Sequence, residues 1–165
     1  MIGRPEQDGE YVFTVSVSDS EYVVSEQFTV HIADHRPEVL SLRDVPNDQG
    51  KQMHLVWKPG QVDPSLPFTQ FSTWRKVNPD STQPDTSNLW DFIASVPWIG
   101  TEDEYSIVVP TLGDSTAHGI YPSTFRVTAH TEDVALYHVS EPVTGFSVDN
   151  LHPTVPQGLT ALESG

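Results

Sequence analysis

The sequence contains no cysteine, and its 8 lysine and arginine residues are far outnumbered by 23 aspartate and glutamate residues. A secreted chain without disulfides depends on its apolar core or on assembly for stability. The net charge of −15 makes nucleic acid and anionic membrane faces poor partners, because phosphate groups repel an acidic surface. This charge leaves cation binding open, although an acidic surface that keeps the chain soluble is the simpler explanation.

Long apolar runs and helical periodicity are also scarce. No segment is apolar enough over a sufficient length to span a bilayer, so we expect no membrane insertion. The start, Met1–Pro5, lacks the apolar stretch of a signal peptide. Hydrophobic residues still make up 36% of the chain, which is enough for a core. Alternation with a period of two residues is widespread and predicts an all-β fold.

The first alternating segments predict a β-hairpin with one apolar face. Residues 11–18 place apolar side chains at odd positions, Asp19–Glu21 forms a turn, and the return strand is apolar at even positions except at Glu26. A lone hairpin is marginal in water, so its apolar face needs a cover. The predicted assembly residues are Tyr11, Phe13, Val15, Val17, Phe28, Val30 and Ile32.

A second series of short alternating segments predicts a β-sandwich. Its seven strands are expected at residues 38–42, 52–58, 68–77, 89–96, 104–109, 123–130 and 143–148. The alternation points Met53, Leu55 and Trp57 inward on the second strand, and Phe125, Val127 and Ala129 inward on the sixth. It also predicts that Trp90 and Phe92 lie in the core. Two long segments, 78–88 and 112–122, are expected to be exposed, mobile loops that could serve recognition.

This central series resembles a fibronectin type III domain over about residues 37–150. Trp57 matches the family's core tryptophan, and Phe71 matches the aromatic residue of its third strand. Leu112 fits the leucine that packs under a connecting loop, and Phe125 stands where a tyrosine is usual. The resemblance implies an immunoglobulin-like sandwich in which the hydroxyl group of that tyrosine is missing.

The two ends resemble parts of further modules. Gly9 followed by Tyr11, Phe13, Val15 and later Asp19 is similar to the end of a bacterial immunoglobulin-like or cadherin-like repeat. Residues 153–161 look like the linker and first strand of another fibronectin type III repeat. We therefore expect a partial hairpin unit (1–35), a complete domain (36–150) and a C-terminal linker with an extra strand (151–165). The assembly residues predicted in this last segment are Val155, Leu159 and Leu162.

The residue pattern gives little support for catalysis or metal binding. The seven histidines are scattered without the close pairs of a zinc site, and the chain lacks cysteine and a Gly-x-Ser-x-Gly motif. No catalytic residue, metal ligand or cofactor is predicted, and we expect that the protein is not an enzyme. Because cadherin-like repeats often bind calcium at their junctions, the resemblance keeps a calcium site at Asp19 and Asp34 open.

The predicted function is structural. Tandem arrays of such modules are common in bacterial surface and secreted proteins, so the resemblance implies an extracellular or cell-surface spacer or fibre component. Its partners would be other copies of the chain or neighbouring domains, joined by added strands and apolar contacts, and a C-terminal strand of one copy could complete the sheet of the next. The alternative is an adhesin or accessory module that binds glycans or proteins through an exposed Trp74 or the long loops.

Overall fold

The computed structural model describes residues 9–77, 89–151 and 158. The regular secondary structure within these ranges consists of β-strands. They are β1 (Gly9–Ser18), β2 (Val23–Ile32), β3 (Glu38–Asp44), β4 (Gln52–Lys58), β5 (Phe68–Lys76), β6 (Trp90–Pro97), β7 (Tyr105–Pro110), β8 (Ser123–Thr131), β9 (Tyr137–Val139) and β10 (Val143–Gly145). All pairings between these strands are antiparallel. Within these ranges no helix is suited to crossing a membrane.

Strands β3 to β10 form a two-layer sandwich. One sheet has the order β3-β4-β7, and the other has the order β10-β8-β5-β6, with the short β9 also paired to β8. The sheet of β3, β4 and β7, which are the first, second and fifth strands of the domain, therefore lies opposite the sheet that contains its third strand (β5), its sixth strand (β8) and its last strand (β9 and β10). This division of strands is that of immunoglobulin-like domains. The fourth strand, β6, extends the larger sheet beside β5. The fold is an all-β, immunoglobulin-like sandwich.

The core lies between these two sheets and follows the predicted alternation. Trp57 is fully buried, and its ring centroid lies 5.7 Å from that of Phe71 and 5.9 Å from that of Tyr105. The buried hydrophobic residues are Met53, Leu55, Trp57, Phe68, Phe71, Tyr105, Val109, Phe125, Val127 and Ala129. The inward positions predicted on β4 and β8 are thus confirmed.

The prediction that Trp90 and Phe92 lie in the core is wrong. A β-bulge between Thr73 and Trp74 shifts the pairing of β5 with β6, so that Trp74 lies opposite Phe92. An extra residue in one strand reverses which face the following positions occupy. Phe92 is consequently 56% exposed, and Trp90 is only partly buried, on the outer face of the larger sheet.

The last strand and Leu112 also differ from expectation. The final segment pairs with β8 as two pieces, β9 and β10, and ends at Gly145. Pro142 has no backbone N–H and interrupts the ladder, while the Ser140 hydroxyl accepts a bond from the Val127 amide at 2.9 Å. Thr111 is buried and contacts the Ser147 hydroxyl. Successive residues of an extended chain point to opposite sides, so the next residue, Leu112, faces outward and is 44% exposed.

The two long loops have different outcomes. Residues 78–88 lie outside the described residues. The segment 112–122, expected to be mobile, is anchored where it begins: the amide of Ser115 donates to the Ser147 carbonyl at 2.7 Å, and Asp114 Oδ1 accepts from the Lys51 amide and the Ser147 hydroxyl. The loop therefore contributes to the packing at one end of the sandwich.

Candidate functional site

The N-terminal hairpin presents an exposed apolar face. Strands β1 and β2 pair over their full ten residues, and the register places Phe13 opposite Phe28 with stacked rings 5.6 Å apart. Successive side chains of a strand alternate between the two faces. One face therefore carries Tyr11, Phe13, Val15, Val17, Val24, Glu26, Phe28 and Val30, which we call the hairpin face. Its members are exposed, Val17 by 71% and Phe13 by 48%.

The hairpin also has unprotected edges. Among the described residues β1 and β2 form a sheet of their own, so each has one edge without a partner strand. Natural edge strands usually carry lysine, proline or bulges that discourage pairing with another chain. β1 and β2 contain no lysine or proline, and their register is regular throughout. The hairpin is suited to adding a strand as well as to burying its face.

The turn of the hairpin is held by Asp19. Its Oδ1 accepts bonds from the amides of Glu21 and Tyr22, each at 2.8 Å, and its own amide donates to the Tyr22 carbonyl. These backbone donors hold the pKa of the Asp19 carboxyl below its ordinary value. This carboxylate, which the sequence left open as a calcium ligand, therefore stabilises the turn. Asp34, the second such carboxylate, is engaged by Arg36.

The linker that follows β2 is fastened to the sandwich. Arg36 donates to Asp34 Oδ2 at 2.9 Å and to Glu141 Oε1 at 3.0 Å, so it joins the linker to the segment between β9 and β10. The amide of Gln61 donates to the Asp34 carbonyl, and the His35 ring contacts the Gln61 carbonyl at 2.5 Å. A cleft of about 410 Å³ beside these residues is lined by charged groups that largely pair with one another.

The end of the described chain is fastened in a similar way. Asn150 donates to Asp44 Oδ2 at 3.0 Å and accepts from the Asp48 amide at 2.8 Å. The amide of Leu151 donates to the Asp48 carbonyl at 3.1 Å. Entry into the sandwich and exit from it are therefore both set by hydrogen bonds, which restricts how the adjoining segments can be oriented.

Substitution of Gly60 by alanine is expected to loosen the entry linker. A Cβ at this position would overlap the backbone of His35 and Arg36, which cannot yield as a side chain could. Overpacking of this kind costs about 1–3 kcal/mol, so we expect faster proteolysis at the linker. Gly119→Ala is the matched control, because no atom lies within 4 Å of its added Cβ. Equal proteolysis of both variants would contradict a tightly docked linker.

Two partly buried histidines make stability depend on pH. Burial lowers the pKa of His130, which contacts the Ser72 hydroxyl at 2.9 Å. Burial also lowers the pKa of His138; the charge of nearby His35 adds to this effect, while Asp34 opposes it. His138 packs between His35 and Phe68, with ring centroids 5.1 and 6.1 Å away. The fold therefore favours the neutral form of both imidazoles.

We expect the free energy of unfolding to fall as pH drops from 7.5 to 5.5. In this window the unfolded chain binds protons at His130 and His138 before the folded chain does, so acid favours unfolding. Asp34 has a lowered pKa because Arg36 bonds to its carboxylate. The stabilisation that this carboxylate gives the fold is therefore lost only in more acidic solution, when the carboxylate is protonated. Urea titrations should show a smaller pH dependence for the His130→Gln, His138→Gln double variant. His54→Gln, at an exposed position of β4, should retain the wild-type slope.

The outer face of the larger sheet carries a second aromatic cluster. We call Trp74, Trp90, Phe92 and Arg126 the outer patch. Trp74 meets Phe92 edge to face at 5.6 Å, and the Arg126 guanidinium lies 4.1 Å from the centroid of the Trp90 ring. Trp74 Nε1 and Arg126 Nε are shielded from solvent, and no described residue provides either with a hydrogen-bond acceptor. Trp74, the predicted ligand contact, thus belongs to a larger surface that sequence alternation did not reveal.

The other predicted positions have varied outcomes. Ile32 lies at the end of β2, where only its backbone is described, and Val155, Leu159, Leu162 and the predicted C-terminal strand lie outside the described residues. Within the described ranges, no group of three or more histidine, aspartate or glutamate side chains is placed to hold a metal ion. Arg126 and Asn150 were not anticipated. The outward orientation of Arg126 could have been predicted, because it alternates with inward-facing residues of its strand.

Comparisons with known proteins leave the family open. No protein-family model matches the sequence, and no curated protein matches it. Among solved structures, one similar chain is a crystal structure of titin domains, with 17% identity over 84% of this chain and a TM-score of 0.42. Another is a superoxide reductase (neelaredoxin) from Ignicoccus hospitalis, with 9% identity over 70% of this chain and a TM-score of 0.41. This chain covers 40% of the titin structure and 82% of the reductase. Similarity this low does not support inference of function.

Proposed function

We propose that the chain is a structural module of a bacterial extracellular surface protein or fibre. Neighbouring modules or subunits join through apolar contacts and added β-strands. The observation that carries the proposal is the hairpin face, which remains exposed although the sandwich beside it has a complete core. A two-stranded hairpin needs a covering surface to be stable. A neighbouring copy or module supplies that surface.

The two fastened junctions support a spacer role. A load-bearing or length-setting module benefits from a fixed orientation between consecutive units. Arg36 holds the entry of the sandwich and Asn150 holds its exit. Individual exposed ion pairs contribute little to stability. Several bonds acting on one short segment restrict its direction, which is the property that a spacer requires.

We assign residues 37–150 to the fibronectin type III class within the immunoglobulin-like sandwiches. The buried Trp57, Phe71 and Phe125 occupy the positions on which the resemblance rests. We assign the hairpin to a bacterial immunoglobulin-like or cadherin-like repeat on its Gly9 to Asp19 pattern. The extracellular location and the bacterial origin follow from the same resemblance and belong to the proposal.

Self-association of the purified chain tests the assembly role. Sedimentation velocity from about 1 to 500 μM, with electron microscopy of the concentrated sample, should show growing oligomers. Measurements at 0.15 M salt limit repulsion between the acidic surfaces. A monodisperse monomer at the highest concentration would exclude assembly of this chain with itself and leave only neighbouring modules as partners.

A second candidate function, glycan or protein binding, is favoured by the outer patch. Phe92 is 56% exposed beside Trp74, and aromatic faces stack on sugar rings. A glycan array should then show binding that Trp74→Ala abolishes and Tyr22→Ala, at an exposed aromatic of the hairpin turn, preserves. Absence of any glycan signal in the wild-type protein would remove the glycan form of this candidate.

A further inference from the structure

We infer that the outer patch of one copy receives the hairpin face of a second copy. This inference rests on the proposed assembly and names its second surface. Both surfaces lie on antiparallel sheets: the side chains of the hairpin face are exposed, and in the outer patch Phe92 is exposed while Trp74, Trp90 and Arg126 are partly buried. Such faces pack on one another about 10 Å apart, as the two layers of a sandwich do.

The charges of the two surfaces are complementary. Glu26 is the only acidic residue of the hairpin face, where it lies opposite Val15. Arg126 lies within the outer patch, and Lys76 lies opposite Trp90 at its edge. Among the described residues, neither of these two cations forms an ion pair. Contact between the faces would bring the Glu26 carboxylate to unpaired positive charge.

The same carboxylate argues against a symmetric contact between two hairpin faces. Such a contact would enclose two copies of Glu26 in one apolar layer without a cation, and like charges in a desolvated layer repel strongly. Pairing of the hairpin face with the outer patch avoids this cost. Because the two surfaces differ, each copy can offer its hairpin face to one neighbour and its outer patch to another. Repetition of this contact produces an open chain of copies, unless the rotation between successive copies closes a ring.

The arrangement also accounts for the chemistry of the patch. Phe92 and Trp74 would be covered by the aromatic and branched side chains around Phe13 and Phe28. Aromatic and arginine side chains are the residue types enriched at the centre of protein interfaces. The net charge of the chain is −15, so contact between the acidic surfaces of two copies is disfavoured, whereas Arg126 places a cation among the aromatic side chains of the patch.

Reciprocal charge reversal tests the pairing. Glu26→Arg and Arg126→Glu should each weaken self-association at least about tenfold, because each places like charges at the contact. An equimolar mixture of the two variants should regain assembly, since every contact then joins opposite charges. Glu10→Arg, on the other hairpin face, and Arg43→Glu, on the exposed surface of β3, are controls with equal changes in charge and should associate as the wild type does.

The outcomes separate this inference from the proposed function. Self-association of Arg126→Glu at wild-type strength, with Glu26→Arg impaired, would overturn the role of the outer patch while leaving assembly through the hairpin intact. A wild-type chain that stays monomeric at every concentration would overturn both. Phe92→Asp, at an exposed position, provides a second patch variant should loss of the Arg126 contact with Trp90 disturb folding. A glycan that binds the patch without competing with assembly would also contradict the inference.

Discussion

Replacing Phe13 by aspartate is expected to raise the dissociation constant for self-association by about tenfold to a hundredfold. Phe13 stacks on Phe28 on the hairpin face and is 48% exposed in the single chain. Complete burial of an exposed phenylalanine side chain contributes about 1.5–3 kcal/mol, of which about half remains for a half-buried ring, and 1.4 kcal/mol corresponds to a tenfold change. The substitution removes that contribution and adds a carboxylate to an apolar contact. Sedimentation velocity over a concentration series measures the effect.

Val12→Asp is the matched control for this experiment. Val12 is the neighbouring residue on β1, is 52% exposed, and points to the opposite face, opposite Thr29. Both variants add one negative charge and place the same residue in the same strand. A contact through the hairpin face is weakened by Phe13→Asp and tolerates Val12→Asp. Equal weakening by both variants would indicate that a general loss of the hairpin or a strand-edge contact dominates.

Replacing Trp57 by alanine is expected to lower the free energy of unfolding of the sandwich by about 3–5 kcal/mol. Trp57 is fully buried on β4 and contacts Phe71 and Tyr105, which belong to the opposite sheet and to the neighbouring strand. Removal of its ring opens a cavity where both layers meet. The loss is a large part of the total stability of a domain of this size, so urea unfolding should shift markedly or the variant should not fold.

Two further variants separate packing from polar effects at this position. Trp57 Nε1 is buried, and the described part of the chain offers it no hydrogen-bond acceptor; a buried unpaired donor costs about 1–3 kcal/mol. Trp57→Phe keeps most of the ring volume and removes that donor, so it should retain most of the stability. Trp74→Ala, on the outer face, should cost less than Trp57→Ala. A comparable loss for Trp57→Phe and Trp57→Ala would contradict this account of the core.

The local pattern was sufficient for most of the strands. Alternation on β4 and β8 identified the buried faces correctly, because a period of two residues leaves little choice once one side meets a core. The turn at Asp19 followed from its short polar side chain, which bonds to nearby amides. The prediction failed where a single position altered the register, as at the bulge between Thr73 and Trp74.

Contacts between distant residues had no signal in one sequence. Asn150 and Asp44 are 106 positions apart, and Arg36 and Glu141 are 105 apart, yet each pair holds a junction. Polar residues at turns are common, and nothing in their types indicates which of them meet. The outer patch is a similar case, because Arg126 and Trp90 come together only after β5, β6 and β8 are aligned side by side.

By itself the sequence determined that this chain forms β-strands, which residues share a face, and that the hairpin has one apolar side. These properties depend on neighbours two residues apart, and backbone geometry imposes them. Tertiary structure alone decided which sheet covers which face, how the last strand divides at Pro142, and that Phe13 and Phe28 are exposed. Burial is a relation between distant segments. It is therefore settled by the arrangement of the sheets and not by the order of the residues within any one strand.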